Sequence, residues 1–438
     1  MSRTIVIGAG LSGLVHAHQL ARMGREVLLL EASERPGGVV RSERQDGFLL
    51  ELGPNTVRPT PEIWTLAGDL GLHGQALLVS SRAPRYVDFG GRLRRVPTSP
   101  MALVGTDLLS ARGKLRLLAE PFVRPAASGS DTVRSFFSRR LGPEVAERLV
   151  EPFVSGIFAG DGTRLSASAC FPKLAAWERE HKSLAAGALA DRFRGKPSHR
   201  SPVRGLLSFR DGLEALPRAI AAELGERLMT KTPVVRVIRF GNAWTVRTME
   251  DELSAARVVI ATPAGEASRL AETFAPTAAR ALAAIPHPPL AILHLAWPAA
   301  AFPKIPEGFG HLVAPQTGRR ILGAVYTSSL FPDRAPEGQV LLTVFAGGSR
   351  DPEAPALSET EITGVALRDL KAALGVRKEP RVLRMTRYTN ALPQYDLGHD
   401  SRMKAIAEAE QGWPGLAFLG NYRGGVSVGD VVRNASNV

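Results

Sequence analysis

Apolar and polar positions alternate in three distinct ways along the chain. Arg3–Gly8 is an apolar, β-branched run and predicts a buried parallel strand. Leu11–Met23 predicts a helix ended by Gly24, and Glu26–Leu30 a second buried strand that runs into Glu31. This is a βαβ opening. From Ser80 to Arg210 the pattern becomes mainly helix and loop, with helices expected at Pro100–Leu109, Ala111–Phe122, Thr132–Leu141 and Pro143–Phe158. Ser99 places a capping hydroxyl before the first-turn Pro100. Strands are expected again at Thr232–Phe240, Ala243–Thr248 and Arg257–Ala261, then at Leu290–Ala296, Arg320–Thr327 and Gln339–Gly347. A helix is expected over Ser358–Leu374, and Leu416–Leu419 is a short buried strand feeding a glycine-rich turn at Gly420. No internal repeat interrupts this order.

Length and charge narrow the class. The 438 residues suit two or three domains, and 44% apolar with 22% charged content is ordinary for a globular protein. The single cysteine, Cys170, excludes an internal disulfide and reads as a small packed residue in a reducing compartment. The nine histidines give no metal pattern; His16 and His18 are two apart on a helix and face different directions. The start of the chain lacks a signal-peptide pattern, and no apolar run is long enough to span a bilayer. The net charge of +13 is concentrated: Ser80–Arg210 holds 23 Lys+Arg against 11 Asp+Glu. Within it Pro100–Arg124 mixes apolar residues with Arg112, Lys114 and Arg116, which suits an anionic membrane surface and equally a solvated helix face. No nucleic-acid recognition motif accompanies the charge.

The most specific chemistry sits at the N-terminus. Gly8-Ala9-Gly10-Leu11-Ser12-Gly13 follows a strand, opens a helix and is followed 18 positions later by Glu31. Gly8 permits the tight turn, Gly10 lets backbone approach a pyrophosphate, and Gly13 lets helix pack on strand. Glu31, with Ala32 after it, ends the second strand, where a carboxylate accepts hydrogen bonds from a ribose diol. A glycine-rich structural turn is the bland alternative, and the strand, helix and acid together argue against it. The motif alone does not separate NAD from FAD.

Later segments do. Arg35–Ser42 (RPGGVVRS), with Gly38 and Arg41, resembles the stretch after the ribose acid in two-dinucleotide-domain flavoproteins; Val39 stands where many carry arginine. Glu51-Leu52-Gly53-Pro54-Asn55, Phe153–Asp161 (FVSGIFAGD), Ser208–Pro217 (SFRDGLEALP), Phe331–Ala335, Phe345–Gly348, Pro393–His399 (PQYDLGH) and Gly420–Gly429 (GNYRGGVSVG) match in order along almost the whole chain. Together they resemble the protoporphyrinogen oxidases of the flavin amine oxidase superfamily. The chain stops at Val438, where relatives usually continue the last helix, so a trimmed end is expected.

The resemblance implies an α/β fold (α+β overall): a split Rossmann-like FAD domain from 1–79, 200–264 and 401–438, a helical basic insertion over 80–199 facing a membrane, and a strand-rich substrate domain over 265–400. It implies FAD as cofactor, held by Gly8, Gly10, Leu11, Ser12, Gly13, Glu31, Ala32, Gly38, Arg41, Gly53, Pro54, the backbone of Val235, and Gly420, Gly425, Val426, Ser427 and Val428. It implies a porphyrinogen substrate contacted by Arg85, Asn55, Gly160, Leu312, Val325 and Phe345, with O2 as acceptor, H2O2 as product and no metal. Arg85 would pair with a propionate; surface placement of Arg85, a turn role for Asn55 and Gly160, and ordinary core packing of the apolar three are the bland readings. No side-chain base is assigned. Contact with an anionic membrane, a cytoplasmic location on the inner face of that membrane, and a homodimer stay open. Coproporphyrinogen III oxidation is the nearest rival, an amine oxidase needing an aromatic cage near the flavin is the second, and a flavin-bound protein without turnover is the third.

Overall fold

A computed structural model describes residues 3–80, 82–126, 130–193 and 203–437. The expected division at 199/200 lies outside the described residues. A five-stranded parallel sheet is centred on β1 (Thr4–Ile7). β1 pairs on one side with β2 (Val27–Leu30) and on the other with Arg257–Ile260, which pairs with Leu416–Phe418; Leu228–Met229 closes the far edge. All four residues of β1 are buried, because helices cover both faces of a parallel sheet. One cover is α1 (Leu11–Arg22) and the final helix, Val428–Ala435. His16 Nδ1 lies 3.1 Å from the Ala435 carbonyl, and Gln19 donates to Ser436 Oγ at 2.7 Å. The C-terminal end of the final helix therefore packs on the middle and last turn of α1.

A second sheet has seven strands, in the order Arg381–Tyr388, Leu290–Pro298, Gln339–Gly347, Ile321–Val325, Gly310–Val313, Arg85–Phe89 and Arg92–Arg95. One face carries Ala291, Leu293, Trp297, Leu342 and Val344 against the helix Glu359–Leu374, whose Ser358 and Glu361 form a reciprocal N-terminal cap. Arg85–Phe89 and Arg92–Arg95 were expected to lie in helix and loop; they are strands. The first runs parallel to Gly310–Val313, a partner too distant in sequence to leave a local signal.

The expected helix Pro143–Phe158 is interrupted by a π turn at Ala146–Val150. Pro152, lacking an N–H, follows in the first turn of Glu151–Phe158. A wider turn is how a helix accommodates such a proline. The helices around residues 100–193 hold a buried cluster in which Arg140 reaches Glu120 and the Val123 carbonyl (2.8 Å), and Glu120 also receives Ser183 Oγ (2.8 Å) and the Leu184 N–H (2.8 Å). Arg116 is not turned outward: its guanidinium donates to the carbonyls of Arg139 and Arg140, capping the helix Val133–Leu141. Its expected place on a basic outer face is corrected accordingly.

Among the described residues no helix is long and apolar enough to cross a membrane, and no cluster of three metal-ligating side chains occurs. Burial pushes the Cys170 thiol up to about 12, so it is inert at neutral pH.

Candidate active site

The glycine turn occupies the C-terminal end of β1, at the edge where α/β sheets bind ligands. Gly8 has φ +100°, and a Cβ there would meet the Ala261 carbonyl at 2.9 Å. A Cβ on Gly13 would lie 1.9 Å from the Gly8 oxygen, so helix and turn touch through backbone alone. Nothing lies within 4 Å of a Cβ on Gly10, which leaves the turn open outward, at the N-terminus of α1. Leu11 and Ser12 are buried in that first turn. Such an open, positively polarised cradle fits a pyrophosphate.

Glu31 is fixed at the end of β2. One carboxylate oxygen accepts from the Ala9 N–H at 2.7 Å and the other from the Ser33 N–H (2.9 Å) and Oγ (2.7 Å). Ala32 is exposed beside it. A carboxylate locked in this way keeps lone pairs available, a geometry that fits a ribose diol. A Cβ on Gly38 would lie 3.3 Å from the Gly10 Cα, and the Gly38 carbonyl receives Arg35 Nη2 at 2.6 Å. Arg35, rather than Arg41, holds this loop; Arg41 lies 3.6 Å from Glu43. Val235 sits at a bulge without a register partner, and its carbonyl already accepts from Arg269 at 3.0 Å.

The segment Gly53–Asn55 joins this turn to the second sheet. A Cβ on Gly53 would meet the Val39 carbonyl at 2.0 Å. The Leu52 carbonyl accepts from Tyr388 Oη at 2.9 Å, and the Glu51 carbonyl contacts His294 Nε2 at 3.0 Å. Asn55 follows Pro54; it donates to the Gly53 carbonyl at 3.3 Å, and its Oδ1 is buried with no donor among the described residues. The Glu51 carboxyl receives Ser42 Oγ (2.6 Å) and the Leu213 N–H (2.9 Å), with Arg334 3.5 Å away. Burial pushes it up to about 7, outweighing those contacts.

Register decides which face of the second sheet meets this junction. Phe345 pairs with Ile292 and Gly323, Gly323 with Leu312, Val325 with Thr343 and Gly310, and Gly310 with Arg85. Directly paired residues point to one face. Arg85, Leu312, Val325 and Phe345 therefore share the face opposite the Trp297 core, the face that carries His294 toward Glu51. Each of the four is half-buried. Leu312 presses on the helix Glu151–Phe158, where a Cβ on Gly156 would lie 2.2 Å from its Cδ2. Arg85 stacks over the Phe309 ring at 5.1 Å. Burial first, and the charge of Arg58 second, hold Arg85 below the usual arginine value. Gly160 is buried, and a Cβ there would strike Leu165 and Gln394, so packing alone accounts for it.

The closing loop runs from Gly420, which packs on the Tyr422 ring, to Ser427, which caps the final helix at Asp430 N–H (3.1 Å). Gly424 and Gly425 both have positive φ. Val426 packs against the helical cluster, and Val428 begins the helix.

The model of the flavin containing amine oxidoreductase family matches residues 11–438. The chain belongs to that family. Curated relatives include a chloroplastic protoporphyrinogen oxidase of Nicotiana tabacum, 34% identical over 99% of this chain and 84% of its own length. A protoporphyrinogen oxidase of Bos taurus is 32% identical over 99% and 97% of the two chains. A crystal structure from Exiguobacterium sp. 255-15, provisionally named a protoporphyrinogen oxidase, has a TM-score of 0.81 at 24% identity over 99% and 97%. A putrescine oxidase variant has a TM-score of 0.72 at 16% identity over 100% and 98%, a likeness of fold.

Membership of this flavin family makes the protein an FAD-dependent oxidoreductase of mixed α/β fold, and the cradle at Gly8–Gly13 with Glu31 beside it fits the dinucleotide half of FAD. Sequence reasoning missed Arg58, the charged neighbour of Arg85, because a lone exposed arginine carries no local signal. It quoted Tyr395 and His399 within PQYDLGH without giving either a role.

Proposed function

We propose that this protein oxidises protoporphyrinogen IX to protoporphyrin IX, with three O2 consumed and three H2O2 released per macrocycle, in haem biosynthesis. The observation that carries the reading is the shared sheet face of Arg85, Leu312, Val325 and Phe345, tied by Glu51–Asn55 to the glycine turn. The curated relatives of that name, similar over nearly their whole length, support it. Bound FAD supplies the two-electron acceptor that O2 regenerates. The chain supplies position. Leu312, Val325 and Phe345 offer an apolar wall to a flat macrocycle, and Arg85 a planar cation for a propionate. Asn55 Oδ1, buried and lacking a donor, suits an N–H of the ligand. We assign no side-chain base; positioning against the flavin is the proposed source of rate. Gly53, Pro54, Gly38 and the loop from Gly420 to Val428 would hold the flavin, with 1–79, 200–264 and 401–438 acting as its domain, and 265–400 together with the strand Arg85–Phe89 as the substrate wall.

A second substrate is favoured by one observation: Arg58 stands near enough to Arg85 to depress it. Two guanidinia suit coproporphyrinogen III, which has two further propionates. Aerobic growth of porphyrin fluorescence, measured on both porphyrinogens, separates the readings. Higher kcat/KM on protoporphyrinogen IX is the expected outcome; preference for coproporphyrinogen III would move the enzyme to that branch, and activity on neither would sink both. An amine pocket would need an aromatic cage at the flavin, and Tyr422 is fully buried in the core beneath the loop.

Peripheral attachment to the inner face of the cytoplasmic membrane belongs to the same proposal. Met101, Leu118 and Phe122 are 81%, 75% and 88% exposed, in the segment that also carries Arg112 and Lys114. Sedimentation with anionic vesicles should fall when Arg112 and Lys114 are neutralised; unchanged binding would count against it. Sedimentation equilibrium of the flavin-loaded protein tests the homodimer.

A further inference from the structure

The loop from Gly420 to Gly425 is held from outside by one short segment. Tyr395 is 2% exposed, and its hydroxyl donates to the Asn421 carbonyl at 2.6 Å while accepting from the Gly425 N–H at 3.1 Å. Its ring stacks on His399, centroids 4.1 Å apart and planes 15° from parallel. The Tyr395 hydroxyl thus ties two peptide groups of the loop, the Asn421 carbonyl and the Gly425 N–H, and His399 backs the ring that carries it.

The other tethers belong to the loop's own unit or its near neighbours. Asn434 donates to the Arg423 carbonyl at 2.9 Å, Ser427 caps the helix that follows, and Arg423 pairs with Glu410 at 2.6 Å. Those contacts shape the loop. The stack joins it to a neighbouring part of the fold: the Tyr395 carbonyl accepts from the Ser166 N–H at 2.7 Å, and the Tyr395 ring packs 6.3 Å from Phe158 in the helix that also abuts Leu312. Gly424 and Gly425, at φ +71° and +124°, give the loop little stiffness of its own.

We infer that Tyr395 and His399 are positioning residues that set where the Gly420–Gly425 loop stands, and so how tightly and in what environment this chain holds its flavin. A phenol suits the task because one oxygen serves as donor to a carbonyl and acceptor from an N–H at once. Its removal leaves both peptide groups unpaired in the interior, where a missing partner is costly. The inference concerns the flavin and does not depend on which substrate is oxidised.

Tyr395→Phe in the full-length, flavin-loaded protein tests it. The ring and stack remain and only the hydroxyl is lost. Expected are FAD binding about tenfold weaker, the equivalent of one buried hydrogen bond, and an altered shape of the visible flavin absorption band, with a modest fall in the unfolding midpoint of the apoprotein. Wild-type FAD affinity together with a wild-type spectrum would overturn the inference. Should Tyr395→Phe fail to fold, His399→Ala removes the stack and leaves both contacts of the Tyr395 hydroxyl. A smaller loss of FAD affinity with the same spectral change is expected there, and an unchanged spectrum and affinity would overturn it. A wild-type protein that binds FAD but turns over no porphyrinogen would defeat the substrate reading and leave this test intact.

Discussion

The two sheets offer candidate ligand surfaces of opposite kinds. At the C-terminal edge of the parallel sheet the surface is mostly backbone: glycines at 8, 10 and 13, a helix N-terminus, and a carboxylate held by N–H groups. On the mixed seven-stranded sheet it is side chains spread over four strands, three apolar and one cationic. Backbone recognition tolerates almost no added atom but is indifferent to charge. Side-chain recognition tolerates reshaping and depends on charge. The difference can be pressed on experimentally.

The largest effect should come from Gly13→Val. Its Cβ would lie 1.9 Å from the Gly8 oxygen, so turn and helix must separate, at ~3 kcal/mol with loss of flavin. The visible absorbance of purified protein reads it directly. Gly10→Ala is the control: its Cβ meets nothing, so the apoprotein should melt normally while FAD binding drops. Equal melting loss in both would mean the open cradle has been misread.

Acid should discriminate next. Burial holds His294 at about 4, His311 at about 3 and His399 at about 4, against an ordinary 6.5. The unfolded chain binds the extra protons, so their contribution is complete above pH 6.5 and is lost as pH falls toward 4, a few kcal/mol together. Two of the three lie in the seven-stranded sheet. Amide exchange at pH 5 should therefore rise there before it rises at β1; simultaneous opening would count against the contrast.

Arg85→Ala should lower kcat/KM for a porphyrinogen by ten- to a hundredfold, the loss of a charged hydrogen bond, with flavin content unchanged. Arg85→Lys should recover only part. A normal kcat/KM in the alanine variant would remove Arg85 from the site.

The smallest effect belongs to the junction. Glu51 is raised to about 7, so the folded state binds its proton more tightly than the unfolded chain. Its contribution is greatest below pH 4.5 and is lost as pH rises to 7, opposite in sign to the histidines. Glu51→Gln should abolish that decline, about 1 kcal/mol in urea midpoints compared at pH 5 and pH 8. An unchanged difference between the two would show that Glu51 is already ionised at pH 5.

The same contrast explains what could be read from the residues. A backbone site needs fixed spacing, so Gly8, Gly10, Gly13 and Glu31 declare themselves within one βαβ unit. A side-chain site does not. The segment Arg85–Phe89 is short, carries Arg85 and Asp88, and lies between Pro84 and Gly90; its place in the large sheet comes from distant Gly310–Val313. Arg381–Tyr388 escaped notice for a similar reason, since its four cationic or phenolic positions disguise a half-buried edge. Tyr395 and His399 were visible as part of a family segment, but their partners lie in a loop that the segment itself cannot name.

The pairing of Arg85 with Gly310, like that of Arg257–Ile260 with Leu416–Phe418, also bears on how the chain comes to be folded. Both sheets are completed by strands that leave the ribosome long after their partners. Contacts of such sequence separation pay their loop-closure entropy late and form slowly. The hairpin of residues 85–95 must wait, one edge unsatisfied, until the second half of the chain has been made. Neither ligand surface exists on a nascent chain, so cofactor capture has to follow synthesis, and an early shortage of flavin would leave a full-length chain with its last loop still unset.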